Sequence, residues 1–321
     1  MLRRFIAFQR GKTARPGFTF WMLATCWNFL ARAQNKELFP IKRFMRANRL
    51  QLGSDPCQTL ANKSVGVLFV AAGKDLEVLQ WSIPFAVRSL RTSTPAPKIS
   101  VIVPSEDLNH CRKLLGDLAN IEIESEDSYV SKELVEALKL RFQSRFGWTL
   151  QQFLKISFVL ESSLDAILIV DADTVLLEER SWISDSGRQI LTPSDEFNIS
   201  YYDFLSTIGI GKVVPEYTFV SHHMLMQPKF LRLACEQIGK SFPDQILELV
   251  LNHDFKNTSS PFSLDYEFYG QFLINHHPDK VELLKWANLG IPRLTNLTDQ
   301  IEKEVKKNTG RFFSLSFHSY L

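Results

Sequence analysis

Two aspartates one residue apart, Asp171 and Asp173, interrupt an otherwise apolar stretch that reads "AILIVDADTVLLE" from Ala166 to Glu178. An Ile- and Val-rich run of this length has the character of a fully buried strand. Carboxylates at the end of such a strand gain nothing from packing, and leaving them unpaired in the interior is costly. In an extended chain residues i and i+2 point to one side, so the two groups would present hard oxygen donors to one point. Carboxylates that close repel each other unless a cation lies between them. Mg²⁺ or Mn²⁺ accepts one or two protein carboxylates and completes its shell with water and phosphate oxygens. The chemistry this suggests is a metal–diphosphate clamp. Three other uses fit the same residues. One is a structural pair bound by arginine or helix N-termini; another is a nuclease-type carboxylate cluster. The third is a phosphohydrolase of the hhhhDxDxT type, with Asp171 as nucleophile and Asp173 as acid. Against the phosphohydrolase, the strand–helix pattern begins about a hundred residues before the motif, and no Gly-Asp or Asp-Asp pair follows it.

The elements that must position the pair alternate between strand and helix. "KSVGVLFVAAGKD" (Lys63–Asp75) reads as a strand ending in a small-residue loop, and an amphipathic helix follows over about Leu76–Leu90. Lys98–Pro104 is the next strand, with Ser105 as N-cap of a further helix. Asn120–Ser125 alternates as a third strand. Helices follow at about Ser131–Gln143 and Thr149–Ser162, and then comes the aspartate-bearing strand. This order implies a parallel sheet covered on both faces, with its ligand crevice beyond the carboxyl ends of the strands. Asp75 and the Asp171/Asp173 pair fall on that one edge. Beyond Trp182 the pattern loosens. It holds a glycine-bearing loop "STIGIGKVV", a strand over Tyr217–Met226, helices near Pro228–Gly239 and Phe242–Asn252, then "FSLDYEFYGQFLIN" and "FFSLSFHSYL". This half is expected to form the other wall of the crevice.

A chain of 321 residues with 45% apolar content can bury a sizeable core. We divide it into an N-terminal extension, residues 1–60, and one domain over 61–321. The overall charge of +2 is unevenly spread: residues 1–50 hold eleven Lys or Arg against one acid, Glu37. A basic, aromatic end on an acidic body suggests an anionic partner, here a membrane surface rather than nucleic acid. Phe18–Leu30 is apolar but 13 residues long, short of the roughly 20 needed to span a bilayer. An interfacial anchor, a helix docked on the body and a signal peptide are its three readings. Cys26, Cys57, Cys111 and Cys235 lie far apart without metal-type spacing, which suits free thiols in a reducing compartment. The expectation is a cytoplasmic protein, with its N-terminus able to rest on the inner membrane face.

"ILIVDADTVLL" resembles the Asp-x-Asp strand of metal-dependent, GT-A-fold glycosyltransferases. Together with "GWTLQQFLKI" before it, "FVSHHMLMQPKFL" after it and "DYEFYG" later, the chain is similar to a bacterial group of glycosyltransferases of unassigned substrate. The resemblance covers roughly Val65–Tyr320. It implies a GT-A-like, Rossmann-type α/β fold, a mixed but mostly parallel sheet with helices on both faces. It implies a nucleotide-sugar donor, a UDP-sugar favoured, with Mn²⁺ or Mg²⁺ and a glycan, lipid-linked or small-molecule acceptor hydroxyl. A non-catalytic nucleotide-sugar binding protein is the alternative from another class.

The resemblance also implies roles. Asp173 is the first metal ligand, Asp171 binds the metal through water or holds the ribose, and His318 of "SLSFHSY" completes the shell or makes an ordinary hydrogen bond. Ala71, Ala72 and Gly73 let the backbone approach a flat base, and Asp75 either meets the nucleoside or caps the next helix. Gln151, Lys155 and Ala172 join the nucleotide-sugar set, with Trp148 lining the pocket; a solvated Lys155 is the other reading. One of His222 and His223 turns to the crevice as an acceptor contact. An inverting transfer needs a carboxylate base; i and i+2 diverge on a helix, so at most one of Asp265 and Glu267 serves, and the resemblance favours Asp265. Tyr266 and Tyr269 stack on sugar or belong to the core. Inverting and retaining outcomes both stay open.

Overall fold

The structure, a computed structural model, describes residues 60–319 apart from 61–62, 91–95, 117, 119, 195, 197, 213–214 and 256–261. The basic extension, with its three readings, lies outside the described residues except for Leu60. Among the described residues no helix is long and apolar enough to cross a membrane.

The fold is α/β with a mostly parallel central sheet, as expected. Its strands are β1 (Val65–Val70), β2 (Lys98–Val103), β3 (Ile121–Ser125), β4 (Ala166–Val170) and β7 (His223–Met226), in the order β3-β2-β1-β4-β7. β7 alone runs antiparallel, pairing Val170 with His223. β1 and β4 are buried along their whole length, which is why each reads as a continuous apolar run rather than an alternating one. The chain leaves β1 toward β2 on one side and returns to β4 on the other. The gap between the ends of β1 and β4 is therefore a topological switch point, where such sheets bind ligands.

Helix α1 (Leu76–Ser89) and α2 (Leu108–Leu115) cover one face of this sheet. The other face carries α3 (Lys132–Phe142), α4 (Phe146–Glu161), α5 (Ile199–Thr207), α6 (Pro228–Ile238), α7 (Asp244–Asn252) and α8 (Tyr266–His276). Ser131 caps α3 through the Leu134 N–H, and Gly239 closes α6 at φ +61°, a left-handed position that costs glycine little. A second sheet holds β5 (Thr174–Leu176), β10 (Ser314–His318) and β9 (Asn288–Pro292) in that order, backed by α9 (Leu297–Asn308). α1 is packed between the two sheets, turning Leu79 and Ile83 to the first core and Val78 to the second. A small parallel pair, β6 (Gln189–Leu191) with β8 (Val281–Leu283), completes the described strands.

Two local expectations are corrected. Ser105 does not cap a helix; a short 3₁₀ turn precedes α2, and the Ser105 hydroxyl donates to Asp127 instead. The strand expected over Tyr217–Met226 is confined to His223–Met226. The preceding residues form a loop in which Glu267 of α8 accepts from the Phe219 N–H, Gln271 of α8 donates to the Tyr217 carbonyl, and the Ser194 N–H donates to the Thr218 carbonyl.

Candidate active site

β4 ends at Val170, and the chain then turns: the Thr174 N–H donates to the Asp171 carbonyl at 2.9 Å. Because residues 171–173 are not extended, the i, i+2 rule does not hold and the two carboxylates part. Asp171 points back under the sheet edge. Its Oδ1 accepts from Lys155 Nζ at 2.7 Å and from the Tyr266 hydroxyl at 2.6 Å, and its Oδ2 lies 3.2 Å from His222 Nδ1. Lys155 also donates to Asp265 Oδ2 at 2.8 Å. The lysine comes from the inward stripe of α4, one turn after Gln152, whose amide oxygen accepts from the Leu264 N–H at 2.6 Å and so docks the start of α8.

This arrangement supplies its own cation. Burial would lower the Lys155 pKa, but Asp171 and Asp265 more than reverse that, and it stays charged. Burial would raise Asp171, yet Lys155 and then His222 hold it well below the usual carboxylate range. For His222 burial again opposes charge, and the Asp171 partnership lifts it to about 9. The repulsion that seemed to require a metal between the aspartates is thus relieved at Asp171 by Lys155. A Lys155 solvated on its helix is likewise excluded: the side chain is 2% exposed. Both oxygens of Asp171 are engaged by protein partners, which does not favour the phosphohydrolase alternative.

Asp173 faces the second sheet. Its Oδ2 lies 3.1 Å from His318 Nδ1 at the end of β10, and its backbone carbonyl accepts from the Phe317 N–H at 2.7 Å. A hydroxyl relay runs beneath it, from Thr174 to Ser316 at 2.8 Å and on to Asn288 at 3.2 Å, tying β5, β10 and β9 together. The His222 and His318 rings stand 5.2 Å apart, so two His–Asp pairs meet at the end of β4. Neighbouring ligands on an octahedral ion at about 2.1 Å stand about 3 Å apart, close to the Asp173–His318 spacing. Oxygen plus imidazole is a donor set that suits Mn²⁺. These two residues fit one edge of such a shell. No group of three or more His, Cys, Asp or Glu able to hold a metal occurs among the described residues.

The "DYEFYG" segment is placed differently from expectation. Asp265 is 5% exposed and paired with Lys155, while Glu267 is fully buried. Glu267 Oε1 accepts from the Phe219 N–H at 2.7 Å and the Tyr202 hydroxyl at 3.0 Å, and Oε2 accepts from Gln271 at 2.9 Å. Both carboxylates are thus taken up by protein partners. Tyr266 donates to Asp171 and Tyr269 accepts from the Gln227 N–H at 2.9 Å, and both rings are buried. Their burial accords with the second of the two readings, that they belong to the core. Tyr202 had no signal in the sequence beyond its apolar neighbours.

The turn after β1 reaches the same edge. Gly73 faces a protein neighbour there: its N–H donates to Asp107 Oδ2 at 2.7 Å, and a Cβ would lie 2.8 Å from Asp107 Oδ1, so that carboxylate would have to shift. Ala71 and Ala172 are buried, and Ala72 is half-buried. Asp75 occupies the N-cap position of α1 without making a capping bond; its Oδ1 accepts from Arg293. Burial, with the Asp173 charge adding to it, raises the Asp75 pKa despite that arginine. Gln151 is half-buried on α4, and Trp148 stacks on Tyr201 at 6.0 Å. Of the histidine pair, His222 turns to the site at φ +65°. His223 is buried beside Trp182 and Trp286 with neither ring nitrogen bonded, and burial drives its pKa down to about 3. His223 is a core residue.

No protein-family model matches the sequence, and no curated protein matches it. Among solved structures, mouse xyloside xylosyltransferase 1 in its apo form superposes with a TM-score of 0.42 at 11% identity, over 80% of this chain and 98% of that one. The apo structure of WbbM, a bifunctional glycosyltransferase, gives 0.41 at 10% identity over 84% of this chain; the match spans about half of WbbM, 48%. Overlap this loose assigns neither a fold family nor an activity to the present chain.

Proposed function

We propose that the protein is a glycosyltransferase that moves a sugar from a nucleotide-diphosphate sugar to an acceptor hydroxyl, using a divalent cation held by Asp173 and His318. One observation carries this reading. An aspartate from the β4–β5 turn and a histidine from β10 meet at 3.1 Å on the carboxyl edge of a parallel sheet, beside its switch point. The two loose structural likenesses are to glycosyltransferases, in keeping with it. When bound, the cation supplies Lewis-acid stabilisation of charge on the departing diphosphate.

The chain's own residues do the rest. Asp173 and His318 orient the ion, with Mn²⁺ favoured over Mg²⁺ because one donor is imidazole. Asp171 is not a direct ligand; it anchors His222, whose charged ring adds a positive group beside the diphosphate position. Lys155 and Tyr266 fix Asp171 from below. The turn over Gly73–Asp75 receives the nucleoside end, with a UDP-sugar as the first donor to try.

The test is a thermal-shift screen of UDP-, GDP- and CDP-sugars with and without Mn²⁺, since a ligand that binds only the folded state raises the melting temperature. One nucleotide class should stabilise the protein in the presence of Mn²⁺ alone, and Asp173→Ala should abolish the effect. Stabilisation that persists in Asp173→Ala would sink the metal role. No stabilisation by any class would sink the reading as a whole.

A further inference from the structure

Arg293 follows β9 and reaches across to the turn after β1. Its Nη2 donates to Asp75 Oδ1 at 2.5 Å, its Nη1 to the Lys74 carbonyl at 2.6 Å and its Nε to the Phe317 carbonyl at 2.6 Å. Its own backbone N–H donates to the His318 carbonyl at 3.3 Å. Lys74 Nζ adds a longer contact to Ser319 Oγ at 3.4 Å. The two segments so joined, Lys74–Asp75 and Phe317–His318, come from opposite ends of the described chain. The side chains of Arg293 and Asp75 are 12% and 16% exposed, so solvent screens the pair only weakly. A planar guanidinium can hold three acceptors at fixed angles in this way, and an ammonium cannot.

We propose that Arg293 is a positioning residue that sets the spacing between the donor turn, Gly73–Asp75, and the Asp173–His318 pair. The inference rests on the sugar-transfer reading. A nucleoside diphosphate joins its nucleoside and its phosphates covalently, so it binds well only where the two subsites already stand at the right separation. Without Arg293 the Gly73 end of the turn stays tied to Asp107, but Lys74 and Asp75 lose their guanidinium link to β10 and must be ordered during binding, which subtracts from affinity. His318 has separate support. β10 is bonded to β5 on one side and to β9 on the other, so the Asp173–His318 pair does not depend on the guanidinium.

The separation of those two roles gives the test. Mn²⁺ alone, followed by electron paramagnetic resonance, and UDP, GDP and CDP each with Mn²⁺, followed by calorimetry, are measured on wild type, Arg293→Ala and Arg293→Lys. Arg293→Ala should bind Mn²⁺ alone within threefold of wild type and lose at least tenfold in affinity for the nucleotide that wild type prefers. Arg293→Lys keeps a charge near Asp75 but not the fork, and should lose about threefold or more. Should the alanine variant fail to fold by circular dichroism, the lysine variant decides. Undiminished nucleotide affinity in a folded variant overturns the assignment to Arg293 and leaves the sugar-transfer reading standing. Equal losses of Mn²⁺ and nucleotide overturn it as well, since they mark general damage to the edge. Wild-type protein that binds none of the three nucleotides overturns both.

Discussion

Lys155 sits between Asp171 and Asp265 at 2.7 and 2.8 Å, and burial makes these three groups depend on one another. Removing one partner of a buried ion pair strands the other charge and costs about 3–5 kcal/mol. Lys155→Met should therefore lower stability by about that much in urea denaturation, and adding Asp265→Asn should recover part of it by deleting one stranded charge. Glu267 makes a different prediction, because its partners are all neutral donors. Burial lifts its pKa from 4.5 to about 7. Between those values the folded state holds more protons than the unfolded one, so stability is lost as pH rises from about 4.5 through 7. A shift of this size corresponds to something on the order of 3 kcal/mol. Glu267→Gln, measured by denaturation midpoints across that range, should flatten the slope; an unchanged slope would assign it to another group.

Helix α8 shows what an element adds to its residues. Along its first turns Asp265 holds Lys155, Tyr266 holds Asp171, Glu267 and Gln271 hold the backbone of 217–219, and Tyr269 holds Gln227. Gly270 lets the Phe219 ring lie against the helix; a Cβ there would come within 2.5 Å of the ring. Gly270→Ala should cost about 1–3 kcal/mol by overpacking, and Phe219→Leu in the same chain should restore some of it, as read from melting temperatures. The sequence marked this segment as important but mistook its use. "DYEFYG" carries carboxylates and phenols, which are as apt for catalysis as for buried bonds, and only burial tells the two apart. "YTFV" misled for a related reason. Its aromatic and β-branched residues favour a strand, but the Tyr217 carbonyl and Phe219 N–H are bonded by side chains of α8 instead. By contrast β1, β2 and β4 were legible as continuous apolar runs, β3 by its alternation, and the helices between them by their apolar spacing.

At the scale of the molecule, the site is assembled from both sheets. Asp171 and Asp173 follow β4 of the first, and His318 ends β10 of the second. The edge on which they meet followed from strand–helix alternation, as did the position of Asp75. Arg293 did not, because nothing in "IPRLT" distinguishes a surface arginine from one that crosses to a turn more than two hundred residues earlier. The Asp171–Asp173 turn was also invisible, since Asp-Ala-Asp after an apolar strand is compatible with either an extended chain or a bend. One consequence follows from the 3.1 Å pair. Its members are 145 positions apart along the polypeptide, and contacts that distant form late when a chain refolds. Regained Mn²⁺ affinity after dilution from denaturant should therefore lag behind regained helical signal. Ion capture would then time the closing of the tertiary structure, and a stopped-flow trace in which both recover together would show that the second sheet docks as early as the first.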